Sequence, residues 1–198
     1  MEDTKLKTMN DALQGLAVGD AFGERFFVNP DMVEWLIEQR AVPTQDPWMW
    51  TDDTHMALSI CDVLRQNGTI DQDALAVLFA HRYAQEPYRG YGGGAHRLLQ
   101  EINQGVPWNV ASESLFDGSG SYGNGGAMRA APIGGYFFND VERAAVEARR
   151  SAEPTHSNVN GIEGAVAIAV ATAVAKSDDS PDLIATALEF LQPVSYTH

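Results

Sequence analysis

Ile162, Val166, Val170 and Val174 recur every four residues between Gly161 and Lys176, and alanine fills most of the positions between them. A segment with that period and so little polar surface describes a helix buried nearly all round and packed closely by its neighbours. It is the expected central helix. Met56, Ile60, Val63 and Leu64 form a second helical stripe, Leu75, Leu78 and Phe79 a third, and Leu183, Ile184, Ala187, Leu188 and Leu191 a fourth. Each follows a start signal: Thr54, Asp71, and Ser180-Pro181. Alternating period-two runs are scarce. Glycine and proline punctuation separates helical segments at 43–47, 90–94, 118–126 and 153–160. The pattern predicts an all-α fold, one domain over residues 1–198, whose loops carry the polar chemistry.

The charge balance narrows the partners. With 13 Lys+Arg against 27 Asp+Glu the formal charge is -14, a field that repels polyanions and disfavours nucleic acid or an anionic membrane. An anionic ligand therefore needs a local device. The single cysteine, Cys61, reads as a core residue and excludes an intrachain disulfide. No secretory h-region follows Met1, and the most apolar stretch, 164–175, is too short for a membrane span, so the expected location is cytoplasmic.

Four constellations carry chemistry. Thr51-Asp52-Asp53-Thr54 places hard oxygen donors within one turn, a set suited to Mg²⁺, although Thr and Asp are equally the residues that cap a helix. Gly118 to Arg129 holds five glycines among small hydroxyls and Tyr122. Such a loop brings backbone N–H groups close to phosphate oxygens and offers a ring for stacking, or it is a flexible connection. Gly90 to Gly94 is a weaker candidate of the same phosphate-approaching kind, or only a hinge or tight turn before a helix near His96 to Asn103. Thr155-His156-Ser157 precedes the central helix, where the imidazole either meets a ligand or caps and packs. Gly15, Gly19 and Gly23, four apart, offer a smooth helical face for a close neighbour, and Asp20 reads as a supporting carboxylate or a buried acceptor. Trp35, Trp48, Trp50 and Trp108 read as core and loop anchors.

In this order, Gly15 to Gly23, Thr51 to Thr54, Arg89 to Gly92, Gly120 to Arg129 and Thr155-His156 resemble the ADP-ribosylglycohydrolase family. The resemblance implies a compact orthogonal helical bundle and a hydrolase that removes ADP-ribose from a protein side chain or small molecule by cleaving the ribose C1 glycosidic bond. It implies a binuclear magnesium site with Thr51, Asp52 and Asp53 among the ligands and Asp52 and Asp53 as catalytic carboxylates. It implies ADP-ribose binding by Gly92, by the Gly120-Ser121-Tyr122-Gly123-Asn124 loop and by His156. ADP-ribose or an ADP-ribosylated protein is thus the expected partner.

Two departures temper the carry-over. Many family members have a glutamate at the position of Phe27, and the nearest carboxylate here is Glu24, at a different offset. Family members also carry an Asp-x-Asp-Thr/Ser motif near their C-terminus that supplies the other half of the metal site, and Asp178, Asp179 and Asp182 do not stand in that pattern. The expectation is a C-terminally shortened bundle. Three readings follow: a hydrolase, a catalytically impaired ADP-ribose-binding protein, or a fragment of the enzyme. Missing helices would leave an apolar surface beside the central helix through which the chain could oligomerise.

Overall fold

The computed structural model describes residues 2–44, 46–175 and 182–191, and among these it contains ten α-helices and no strand. The first is α1, Glu2–Glu24; α2 is Pro30–Glu38, α3 Asp52–Asn67 and α4 Gln72–Gln85. Then come α5, Gly93–Asn103, and the single-turn-and-a-half α6, Trp108–Glu113. After a 3-10 turn at Ala127–Arg129 follow α7, Ala131–Tyr136, α8, Val141–Ala152, α9, Val159–Val174, and α10, Leu183–Glu189. The all-α expectation holds.

Helix α9 is the central element, in contact with α7, α8, α10 and the 3-10 turn. Ala165, Val166, Ala169 and Val170 are fully buried, and the one sizeable exposed side chain on the helix is Ile168. Its small residues let neighbours come close. Gly134 and Gly135 of α7 do the same from the other side. A Cβ on Gly134 would collide with the Ala169 carbonyl of α9, and one on Gly135 would lie 2.7 Å from the Thr8 carbonyl of α1. Helix α7 is therefore wedged between α1 and α9 by two adjacent glycines. Buried carboxylates tie the outer helices in: Glu147 of α8 accepts from the Ile70 N–H at 2.6 Å, and Glu163 of α9 pairs with Arg149 of α8. Arg149 in turn donates to the Phe190 carbonyl at 2.8 Å, which docks α10.

Several expectations need adjusting. Helix α3 starts at Asp52, with Thr51 rather than Thr54 at the N-cap. The N-cap of α10 is Asp182, whose carboxylate accepts from Ile184 and Ala185; Ser180, Pro181, Asp178 and Asp179, like the segment 193–198, lie outside the described residues. The α10 stripe is buried only at Ala187, while Ile184 and Leu188 are exposed. Nothing lies within 4 Å of a Cβ placed at Gly15, Gly19 or Gly23, so that smooth face carries no neighbour among the described residues. Trp35 and Trp48 are about half exposed, not core. Large exposed apolar side chains gather along residues 18–49, among them Val18, Phe27, Trp35 and Ile37, rather than along α9. Cys61 is fully buried as expected, and burial pushes its thiol up to about 12. Asp71 caps α4 by accepting from the Ala74 N–H at 3.0 Å.

Candidate functional site

Asp20 of α1 organises the acidic corner. Its two oxygens accept from the Thr51 N–H at 2.8 Å, the Thr51 hydroxyl at 2.7 Å, the Thr54 N–H at 3.1 Å and the Thr54 hydroxyl at 2.6 Å. A carboxylate from a distant helix thus satisfies the donors that open α3, work usually done by the N-cap side chain. Thr51 stands at the N-cap yet its own side chain makes no capping bond. The Asp52 N–H is taken by the Arg89 carbonyl at 2.6 Å. Asp52 and Asp53 are left with their carboxylates on the wall of an acidic groove of about 570 Å³, also lined by Thr51, Gly19, Glu24 and Phe27. Phe27 is 85% exposed there, an apolar ring where a carboxylate was sought.

The groove is electrostatically crowded. Burial, then the charges of Asp20 and Asp52, lift the Asp53 carboxyl to about 6. Burial and Asp20 also raise Asp52, against opposing hydrogen bonds and the Arg129 charge. Carboxylates held together with little cationic relief form a donor set that a hard divalent cation fits. Among the described residues, no group of three or more His, Cys, Asp or Glu side chains is arranged to hold a metal ion by itself.

A second cavity, about 260 Å³, opens from the other side of Asp52. Its walls are the start of α5 (Gly92 to Ala95), the loop residues Ser121, Gly123, Asn124 and Gly125, and Arg129, Thr155 and His156. Leu98, Leu99, Leu115 and Phe116 close its apolar side. Asp52, Gly92, Asn124 and Met128 line both spaces, so the acidic groove and the cavity adjoin at those residues.

The glycine-rich loop is a fitted part. Gly120 adopts φ +69°, and a Cβ on it would lie 2.7 Å from the Asn158 N–H nitrogen at the start of α9. Gly161 approaches the Ser121 carbonyl so closely that a Cβ would be 2.6 Å from it. Asn158 adds a bond to the Ser119 carbonyl at 3.1 Å. A flexible connection would need none of this. The Gly90–Gly94 cluster proves to be a turn that ends at the Gly92 N-cap of α5, where no side chain satisfies the first N–H groups. Those free donors and the helix dipole face the cavity, a place where an anion is stabilised. Tyr91 anchors the turn: its hydroxyl is 3.0 Å from His55 Nδ1 on α3, and burial raises its pKa.

The residues singled out from sequence therefore divide. Ser121, Gly123 and His156 line the cavity, Thr51 and Asp53 line the groove, and Asp52, Gly92 and Asn124 line both. Gly120 is pressed against the start of α9 and Tyr122 is 66% exposed, outside the cavity wall but with its ring tilted at 41° against Phe116, centroids 5.9 Å apart. Sequence reasoning missed Arg129 and Phe116 as cavity-lining residues. The 90–94 cluster did signal the donors of Gly93 and Gly94: three glycines running into a helix leave it without a capping side chain.

The ADP-ribosylglycohydrolase family model matches residues 1–197. The chain belongs to the ADP-ribosylglycohydrolase family. It is 31% identical over 189 residues to ADP-ribosylhydrolase ARH3 of Homo sapiens, a match covering 88% of this chain and 52% of that protein. To the protein of the same name from Gallus gallus it is 33% identical, covering 83% and 48%. Among solved structures, an ADP-ribosylglycohydrolase-related protein complex superposes with a TM-score of 0.55 at 26% identity, over 85% of this chain and 56% of that one. The chain spans about half the length of these family members. Both the acidic groove and the glycine-walled cavity fall inside the matched half.

Proposed function

We propose that this chain holds ADP-ribose and, with magnesium, hydrolyses the ribose C1 glycosidic bond to a protein side chain or small molecule. The observation that carries the reading is that a cavity walled by unpaired helix-start N–H groups and an acidic groove adjoin at Asp52. The diphosphate would be held by N–H groups of Gly93, Gly94 and the 121–125 loop, since Arg129 is the one Lys or Arg side chain among the residues lining the cavity. Leu98, Leu99 and Phe116, with Tyr122 at the mouth, would take the adenine. That leaves the distal ribose over Asp52.

Thr51, Asp52 and Asp53 are the residues that would hold magnesium, which would fix the ribose hydroxyls and acidify a water. In the hydrolysis, the water oxygen bonds to C1 as the bond to the leaving group breaks. The Asp53 carboxylate would accept the proton released by the water and pass it to the departing group, so that free ADP-ribose and the protonated leaving group result. Asp20 keeps both aspartates in place through α3.

The test is release of free ADP-ribose from an ADP-ribosylated peptide with and without Mg²⁺. Release that needs Mg²⁺ and falls by at least about a hundredfold in Asp52→Asn and Asp53→Asn supports the proposal. Full activity in those variants contradicts it.

One observation favours a second reading, an ADP-ribose-binding protein with impaired turnover. Asp20 is occupied by four hydrogen bonds and Phe27 stands on the groove wall, so the free oxygen donors come from the first turn of α3 and the outlying Glu24. Calorimetry that detects ADP-ribose binding with no hydrolysis in Mg²⁺ would select this reading.

A further inference from the structure

Arg129 is the largest fully buried side chain in the protein and has no carboxylate within ion-pair distance among the described residues. Its guanidinium lies 4.5 Å from the Phe79 ring centroid and donates to the Ser151 carbonyl at 2.9 Å and to the Thr155 hydroxyl oxygen at 2.7 Å. A guanidinium only donates, so Thr155 Oγ1 is the acceptor in that bond. The hydroxyl retains one proton to give.

Two acceptors lie within reach of that proton. The Ala152 carbonyl is 3.2 Å away, and His156 Nδ1 is 2.7 Å away. The carbonyl already accepts two backbone bonds, from Thr155 N at 3.0 Å and His156 N at 2.9 Å, which occupy both of its lone pairs. Nδ1 is nearer, and although the Ala152 carbonyl also lies against the ring, its lone pairs are already engaged by the two backbone N–H groups. The Thr155 proton therefore goes to Nδ1, and an imidazole that accepts at Nδ1 carries its own proton at Nε2.

We propose that Thr155, backed by Arg129, fixes His156 in the tautomer protonated at Nε2, and that the ring in this state holds the glycine-rich loop in its ligand-binding shape. Arg129 and Thr155 are thus positioning residues for the loop. The other edge of the ring is where the loop lies. A Cβ on Gly125 would be 3.2 Å from Nε2, and the ring also lies against the Gly123 backbone of the same loop. Burial and the Arg129 charge keep the imidazole neutral by lowering its pKa to about 3, which leaves the choice of tautomer as the variable the network sets. A guanidinium that made only packing contacts would need no hydroxyl between itself and a cavity-lining ring.

The proposal rests on the ADP-ribose reading for its affinity readout but not for its spectroscopic one. Long-range proton–nitrogen NMR on the ligand-free full chain at neutral pH reads the His156 ring directly. The expected spectrum has Nδ1 unprotonated and Nε2 protonated in the wild type and in Thr155→Ser, and loses that preference in Thr155→Val. ADP-ribose affinity should fall about tenfold in Thr155→Val and be retained in Thr155→Ser, the change expected when one buried hydrogen bond to a positioning group is lost. A wild-type ring protonated at Nδ1 overturns the proposal, as does an unchanged tautomer in Thr155→Val. If the wild type binds no ADP-ribose, the functional reading fails while the ring spectrum still decides this one.

Discussion

At Asp53, burial and two neighbouring carboxylates lift the pKa to about 6, well above its unperturbed 3.8. Between those values the folded chain keeps a proton the unfolded chain has released, so stability falls as pH rises through the interval and the penalty persists above it. His156 works in the opposite sense. Its folded pKa of about 3 lies below the ordinary 6.5, so its contribution is complete above pH 6.5 and is lost as pH falls. Asp53→Asn removes the first effect alone. Metal-free thermal melts should show the variant more stable than the wild type at pH 7 to 8, by roughly 1 kcal/mol after allowance for solvent screening. The variant should also gain stability more steeply with pH between 4 and 6, because the His156 slope is no longer opposed. A variant less stable than the wild type at pH 8 would show that Asp53 is not under the strain assigned to it. Mg²⁺ should raise the wild-type melting temperature and leave that of Asp53→Asn nearly unchanged, which calorimetry would record.

At the scale of elements, what the amino-acid order revealed was local and what it concealed was distant. The period in 162–174 and the stripe at Met56, Ile60 and Leu64 announce α9 and α3 because a buried helix writes its own spacing. The start of α3 was misplaced by three residues because its cap comes from Asp20, thirty-one positions upstream of Thr51. Gly15, Gly19 and Gly23 suggested a close helix crossing, yet the crossing is made by Gly134 and Gly135, whose partners on α1 and α9 only the fold brings near. Two substitutions separate these cases. Gly15→Ala points into open space in a helix interior and should stabilise by about 0.5 to 1 kcal/mol. Gly134→Ala drives a methyl into the α9 backbone and should destabilise by about 1 to 3 kcal/mol or more. Denaturant midpoints of the two variants check both signs. Equal effects would mean that α7 is not wedged where the structure puts it.

For the whole molecule, a net charge of -14 means that the proposed diphosphate ligand would be met by local devices, the backbone dipoles of the cavity, a cation and the Arg129 guanidinium, rather than by the overall field. The glycine-rich loop and the glycine cluster at 90–94 were each legible as possible phosphate cradles. That they face one another across a single cavity, with His156 and a buried Arg129 behind, was not, because no spacing rule links α5 to the turn before α7. The family model covers residues 1–197, which include every residue lining the groove and the cavity, and the chain spans about half the length of the curated relatives. The most direct test of that arrangement is a backbone amide NMR titration of the chain with ADP-ribose in Mg²⁺. The account predicts saturable shifts concentrated at Gly93, Gly94, Ser121, Gly123, Asn124 and Gly125, with smaller changes at Asp52 and Asp53. Shifts confined to other surfaces, or none at all at millimolar ADP-ribose, would contradict it.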